Sequence, residues 1–224
     1  FQRHLLWTIK ALKLDWGRLR VGNVNPFPVI GFRNVKFNLN QELLLNYLPN
    51  TILLAGTSFF LILILGLPIA LMLARIYGKW FDRFISFFAP ISSVPSWVIG
   101  IILISIFAFE LNILPSGRMY DVIPPGTRWG YVPVILRHMI LPVLSIVLSI
   151  IFQLIYSWRT YFVTFSSEDY VDLGKAIGLP ERRLQRKYIL LPSFSFVITS
   201  FSLMFISFWQ MTMALEVVFN WPGL

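Results

Sequence analysis

The segment EDYVDLGKAIGLPERRLQRKYILLP, residues 168–192, is a charged, glycine-punctuated island between two uncharged apolar runs, each long enough to cross a membrane. Its local chemistry predicts a helix, a corner and a second helix. Residues 168–177 make the first helix, with Glu168, Asp169 and Asp172 in its opening turns, where the helix dipole favours acids. Gly178 supplies the left-handed conformation that ends a helix at little cost. Pro180 suits the first turn of the second helix and Glu181 follows at its acidic end. Arg182, Arg183, Arg186 and Lys187 come later, within reach of anionic lipid head groups or a partner's acidic surface. Pro192 marks the passage into the next apolar run. Such an element lies across a membrane face and presents a convex knob.

Composition agrees with that setting. Hydrophobic residues make up 57% of the 224 and charged residues 13%, with a mean hydropathy of +0.72. Soluble domains run at about 45–50% and about 25% respectively, so the chain reads as an integral membrane protein. Four runs lack Asp, Glu, Lys and Arg: 51–74, 84–109, 139–158 and 188–215. Each reaches the roughly 20 residues that a helix needs to span a hydrocarbon core. Barrel strands would be about 9–11 residues with in/out alternation, whereas these runs are apolar on every face. The predicted fold class is therefore all-α, a polytopic transmembrane helical bundle with four spans in this segment. Residues 1–50 read as an extracytoplasmic segment with a short amphipathic helix at 1–14, and 51–224 as the transmembrane domain, with a cytoplasmic loop at 159–187.

Orientation rests on the turn ARIYGKWFDRF, residues 74–84, which is short and basic as cytoplasmic turns are. With that turn counted, Lys and Arg divide almost evenly between the two faces, nine on the proposed inside and ten on the proposed outside. Pro68 with Gly66, and Pro90 with Pro95, predict kinks in the first two spans, because a backbone group freed at depth must be covered by a neighbouring helix or by water.

The absence of cysteine removes disulfides and thiolate metal sites. The net charge of +9 reads, in so apolar a chain, as contact with anionic lipid rather than nucleic acid. No G-x-x-x-x-G-K-[ST], H-E-x-x-H or G-x-S-x-G pattern occurs, and no apolar run carries a carboxylate or lysine for intramembrane proteolysis. The reading is a non-enzymatic chain without a cofactor or metal of its own. Gln210 and Glu216 are the candidate pore or gate residues, since polar groups near hydrocarbon usually face water or a partner. Gln153, Gln210 and the hydroxyls of Ser145, Ser149, Ser157, Ser202 and Ser207 are residue types that more often serve as interhelical glue than as pore lining, and His138 reads as interfacial.

The island resembles the cytoplasmic "EAA" loop of ABC-transporter permeases, and in particular the binding-protein-dependent permeases of the dipeptide, oligopeptide and nickel type. Asp169-Tyr170-Val171, Ala176, Gly178-Leu179 and Leu191-Pro192 carry that likeness. Further anchors follow in order: Asp15-Trp16-Gly17, Pro49-Asn50-Thr51, Asp82-Arg83, Ser92, Pro95, Trp97, Leu114-Pro115-Ser116-Gly117-Arg118, Leu141-Pro142, Arg159, Glu216-Val217-Val218-Phe219 and Trp221-Pro222-Gly223-Leu224. Leu173, Gly174 and Ile177 depart from the family pattern, as does the bulky stretch 208–216 where relatives are rich in glycine.

The resemblance implies a permease subunit of an ATP-driven importer in the cell (inner) membrane, with one further helix before residue 1 and one after residue 224, six in all. It implies coupling to ATPases through Glu168, Asp169, Tyr170, Ala176, Gly178, Leu179 and Pro192. The implied partners are two ATP-binding subunits that hold ATP and Mg, a homologous or identical permease subunit, and an external binding protein delivering peptides or a similar small solute. A self-contained channel or ion-coupled secondary transporter is the alternative, one that would usually carry a charge within a span or a selectivity ring.

Overall fold

A computed structural model describes residues 40–121 and 128–223; the amphipathic helix expected at 1–14 lies outside the described residues. Among the described residues all regular structure is helical. Helix α1 (Asn40–Arg75) is a single element containing Pro49 and Pro68. Its 36 residues rise about 54 Å, more than a bilayer core requires, and the apolar portion that could span begins at Tyr47. The expected boundary at residue 50 thus falls inside α1.

The second apolar run departs most from expectation. Instead of one kinked span at 84–109, it folds as α2 (Trp80–Phe87), a 3₁₀ turn (Ala89–Ser93), α3 (Ser96–Leu103) and a π-turn (Ile104–Glu110). The two halves meet at 100°. Pro95 explains the break: Val94 before it is extended, at φ −81° and ψ 124°, which keeps the 3₁₀ turn from continuing into α3. Ser96–Glu110 rises only about 22 Å, short of the roughly 30 Å core. Helix α2, with Trp80, Phe84 and Phe87 exposed beside Lys79 and Arg83, has the composition of an interfacial helix. By length and composition the described residues hold three spans, or four if the bent pair counts as one.

Helix α4 (Tyr131–Ser166) is the centre of the bundle. In its most apolar stretch 61% is buried, against 28% for α1 and 11% for the last span, so the other helices pack around it. Ile146, Trp158 and Phe162 are fully enclosed there. The Trp158 indole N–H donates to Ser200 Oγ at 2.8 Å, joining α4 to the last helix. Ser145 and Ser149, expected to bond between helices, donate instead to the Leu141 and Ile146 carbonyls of their own helix, a habit of hydroxyls in apolar surroundings.

After α4 come α5 (Asp169–Ala176), α6 (Glu181–Arg183), a π-turn (Leu184–Leu190) and α7 (Leu191–Val218). The last span is continuous from Glu181, so the basic residues 182–187 belong to its first turns rather than to a separate loop. The π-turn directly before Pro192 fits the missing N–H of the proline, because a wider turn re-pairs the freed carbonyls.

Candidate functional site

Glu168 starts the knob as the N-cap of α5, with its backbone carbonyl accepting the Val171 N–H at 2.9 Å. Asp169 and Asp172 occupy the first turn, at the positive end of the helix. The far end closes by two crossed bonds: Leu179 N–H donates to Gly174 O at 3.1 Å and Gly178 N–H to Lys175 O at 3.0 Å. That is the Schellman arrangement, and Gly178 sits at its left-handed position with φ +76°. Pro180 then caps α6 in extended conformation, accepting the Arg183 N–H at 2.8 Å. The corner is a closed, hydrogen-bonded shape rather than a slack loop.

Two residues root the knob. Val171 is fully buried, and Gly174 lies so close to the π-turn that a Cβ there would come within 2.8 Å of Leu184 Cδ1. The departure at Gly174 thereby acquires a packing reason. The outer side presents Asp169, Tyr170, Asp172 and Ala176 to solvent, together with Leu173 and Ile177, which are 64% and 68% exposed. Burial first, and then the neighbouring Glu168 carboxylate, raise the Tyr170 phenol above its usual range, so it stays a neutral donor. Sequence reasoning noted Leu173 and Ile177 only as departures. Their spacing of four, which sets the two side chains beside each other on the helix surface, is the signal that pairs them.

Of the expected coupling residues, Glu168, Asp169, Tyr170, Ala176, Gly178 and Leu179 share this knob. Pro192 stands apart, half-buried in the first turn of α7. Beside the knob end of the bundle the Asp82 carboxylate accepts from Arg159 through Nε at 2.6 Å and through Nη2, and from the Gly78 N–H at 2.8 Å. The Arg159 guanidinium also stacks over the Tyr77 ring at 4.5 Å. Both residues were read only as separate likenesses to the family; the structure joins them across 77 positions.

The opposite end holds a second knot. Thr51 Oγ1–H donates to Glu216 Oε1 at 2.6 Å, Asn50 Nδ2 to the Pro222 carbonyl at 2.7 Å, and the Trp221 indole N–H to the Asn50 carbonyl at 3.2 Å. Two sequence anchors, Pro49-Asn50-Thr51 and Trp221-Pro222-Gly223, thus meet. Glu216, expected at a pore or gate, is only 3% exposed, because α1 and the turn after α7 close over it. It latches helices here instead of offering a free carboxylate. His138, expected at an interface, is buried as well. Its Nδ1 faces the Gly117 and Arg118 carbonyls at 3.0 and 3.1 Å, so that nitrogen carries a proton and ties the 111–121 loop to α4.

Gln210 is exposed and shares its face of α7 with Ser195, Thr199, Ser202 and Ile206, away from the face where Val197, Phe201 and Leu215 pack on the chain. The exposed side of α1, in contrast, is apolar at Ile52, Phe60 and Ile64. Lipid suits the α1 face; the Ser195 and Thr199 hydroxyls bond to carbonyls of their own helix, and it is the exposed Gln210 amide on α7 that points to water or a partner helix.

"Peptide transport system permease protein SapB" of Salmonella typhimurium is 29% identical over 87% of this chain and 66% of its own length. "Oligopeptide transport system permease protein AppB" of Bacillus subtilis is 31% identical over 82% of the chain and 57% of its length. "Putrescine export system permease protein SapB" of Escherichia coli is 27% identical over 98% of the chain and 70% of its length. The chain therefore spans less than two thirds of the first two relatives. The family described as "Binding-protein-dependent transport system inner membrane component" matches residues 66–224, most of the chain and everything from the last third of α1 onward. With its several apolar helices and cytoplasmic-type turn, the chain is a multi-pass inner membrane protein and belongs to that family of ABC-transporter permeases.

Proposed function

We propose that the chain is the membrane-spanning part of a permease subunit in an ATP-driven importer, moving peptides or a similar small solute delivered by an external binding protein. The observation that carries this reading is the closed knob of α5 and α6, whose exposed Leu173 and Ile177 lie outside the candidate membrane spans. An apolar pair on a closed corner is what a docking surface requires, and a rigid protrusion can transmit displacement where a slack loop cannot. Two ATP-binding subunits would engage this knob and hold ATP and Mg. A homologous or identical permease subunit would face the polar side of α7, around Gln210, to complete the path. Two of the relatives' names support peptides as the solute class, while the third names putrescine and export, so the names differ on both solute and direction.

The test is to purify the full-length parent protein in mild detergent, identify what remains bound, and reconstitute the complex in vesicles with ATP on the knob side. Recovery of an ATPase that is lost when 168–179 is altered, with labelled peptide moving toward the ATP side, is the expected result. Movement away from ATP would reverse the direction. Transport driven by an ion gradient without any ATPase would instead favour a secondary transporter or channel.

A further inference from the structure

We propose that the Asp82–Arg159 pair is a positioning clamp that locks α2 to the knob end of α4, so that displacement of the knob carries α1, α2 and α4 as one body; this rests on the permease reading above. Helix α2 is only eight residues long, and the 100° break separates it from α3, so helical continuity does not hold it in place. Side chains must do so. At one end Asp82, 1% exposed, is gripped by the two-pronged Arg159 guanidinium and by the Gly78 N–H. At the other, Ser92 Oγ accepts the Gln153 N–H of α4 at 3.2 Å, and the Phe88 ring lies 5.6 Å from that of Phe152. Arg159 stands two helical turns before Ser166, the last residue of α4, and the knob begins immediately beyond. The clamp is therefore the point where the turn between α1 and α2 is fastened to the helix that bears the knob.

Stability alone does not account for this residue choice, because a buried ion pair commonly gives no advantage over apolar residues of similar volume. What a forked arginine and a carboxylate provide is a fixed orientation. The Tyr77 ring under the guanidinium restricts it further.

Residues 1–224 contain no cysteine, so once any cysteine elsewhere in the full-length permease is replaced, spin labels at Lys175→Cys and Phe87→Cys, both on exposed sites away from the Leu173–Ile177 pair, report the knob-to-α2 distance directly. The full-length permease is assembled with its co-purifying ATPase and measured with and without ATP and vanadate, which needs no knowledge of the solute. With the clamp intact, one narrow distance distribution that trapping leaves unchanged is expected. With the double variant Asp82→Leu/Arg159→Met, the melting temperature should stay near that of the parent, while the distribution broadens and shifts on trapping. Arg159→Lys, which keeps the charge and loses the fork, should broaden it too. A narrow, unshifted distribution in both variants overturns the clamp. A parent that captures no ATPase overturns the permease reading and the coupling role with it.

Discussion

Gly178 has φ +76° and no atom within 4 Å of the place where a Cβ would sit, so substitution there meets a backbone cost and no steric one. Gly178→Val is expected to weaken the knob by about 1–2 kcal/mol, seen as faster amide exchange in α5 and less transport per ATP, with the bundle's melting temperature unchanged. Unaltered exchange at Leu179 and Gly178 would contradict this. Gly223 is the opposite case: a Cβ there would overlap the Glu216 carboxyl, so Gly223→Ala must displace the Thr51–Glu216 bond. A lowered melting temperature is expected, beside little change for Gly56→Ala, which meets nothing within 4 Å. The Gly178 corner was legible in the sequence because helix, glycine and proline are neighbours along the chain. The partner of Glu216 was not, since Thr51 lies 165 positions away and nothing local to either residue names the other.

Among the elements, the second apolar run was the hardest to read. Prolines at 90 and 95 announce a bend, but its 100° size depends on where α2 finds packing, and Phe88 finds it on Phe152 of α4. The knob makes a separable prediction. Leu173→Asp and Ile177→Asp alter side chains that are 64% and 68% exposed, so the isolated permease should melt within about 0.5 kcal/mol of the parent while ATPase recovery falls. Equal recovery would move the docking surface elsewhere. Within the bundle, Ser200→Ala removes the partner of the enclosed Trp158 indole and should cost about 1 kcal/mol, whereas Trp158→Ala leaves a cavity and should cost about 3–5 kcal/mol by detergent melting curves.

Across the whole molecule, the contrast between the lipid-suited face of α1 and the polar face of α7 gives a test of assembly. A cysteine at Ile206 should crosslink to the partner permease in the intact complex, and one at Phe60 should not; the reverse pattern would place the partner on α1. By itself the sequence determined the membrane class, the all-α architecture, the helix–glycine–helix knob and the family, because apolar length, capping and helix breaking act between residues close along the chain. Only the tertiary structure decided the break between α2 and α3, the burial of Glu216 and the joining of Asp82 to Arg159. These depend on which helix faces come together, and residues separated by 77 or 165 positions meet only once α4 is packed at the centre of the bundle.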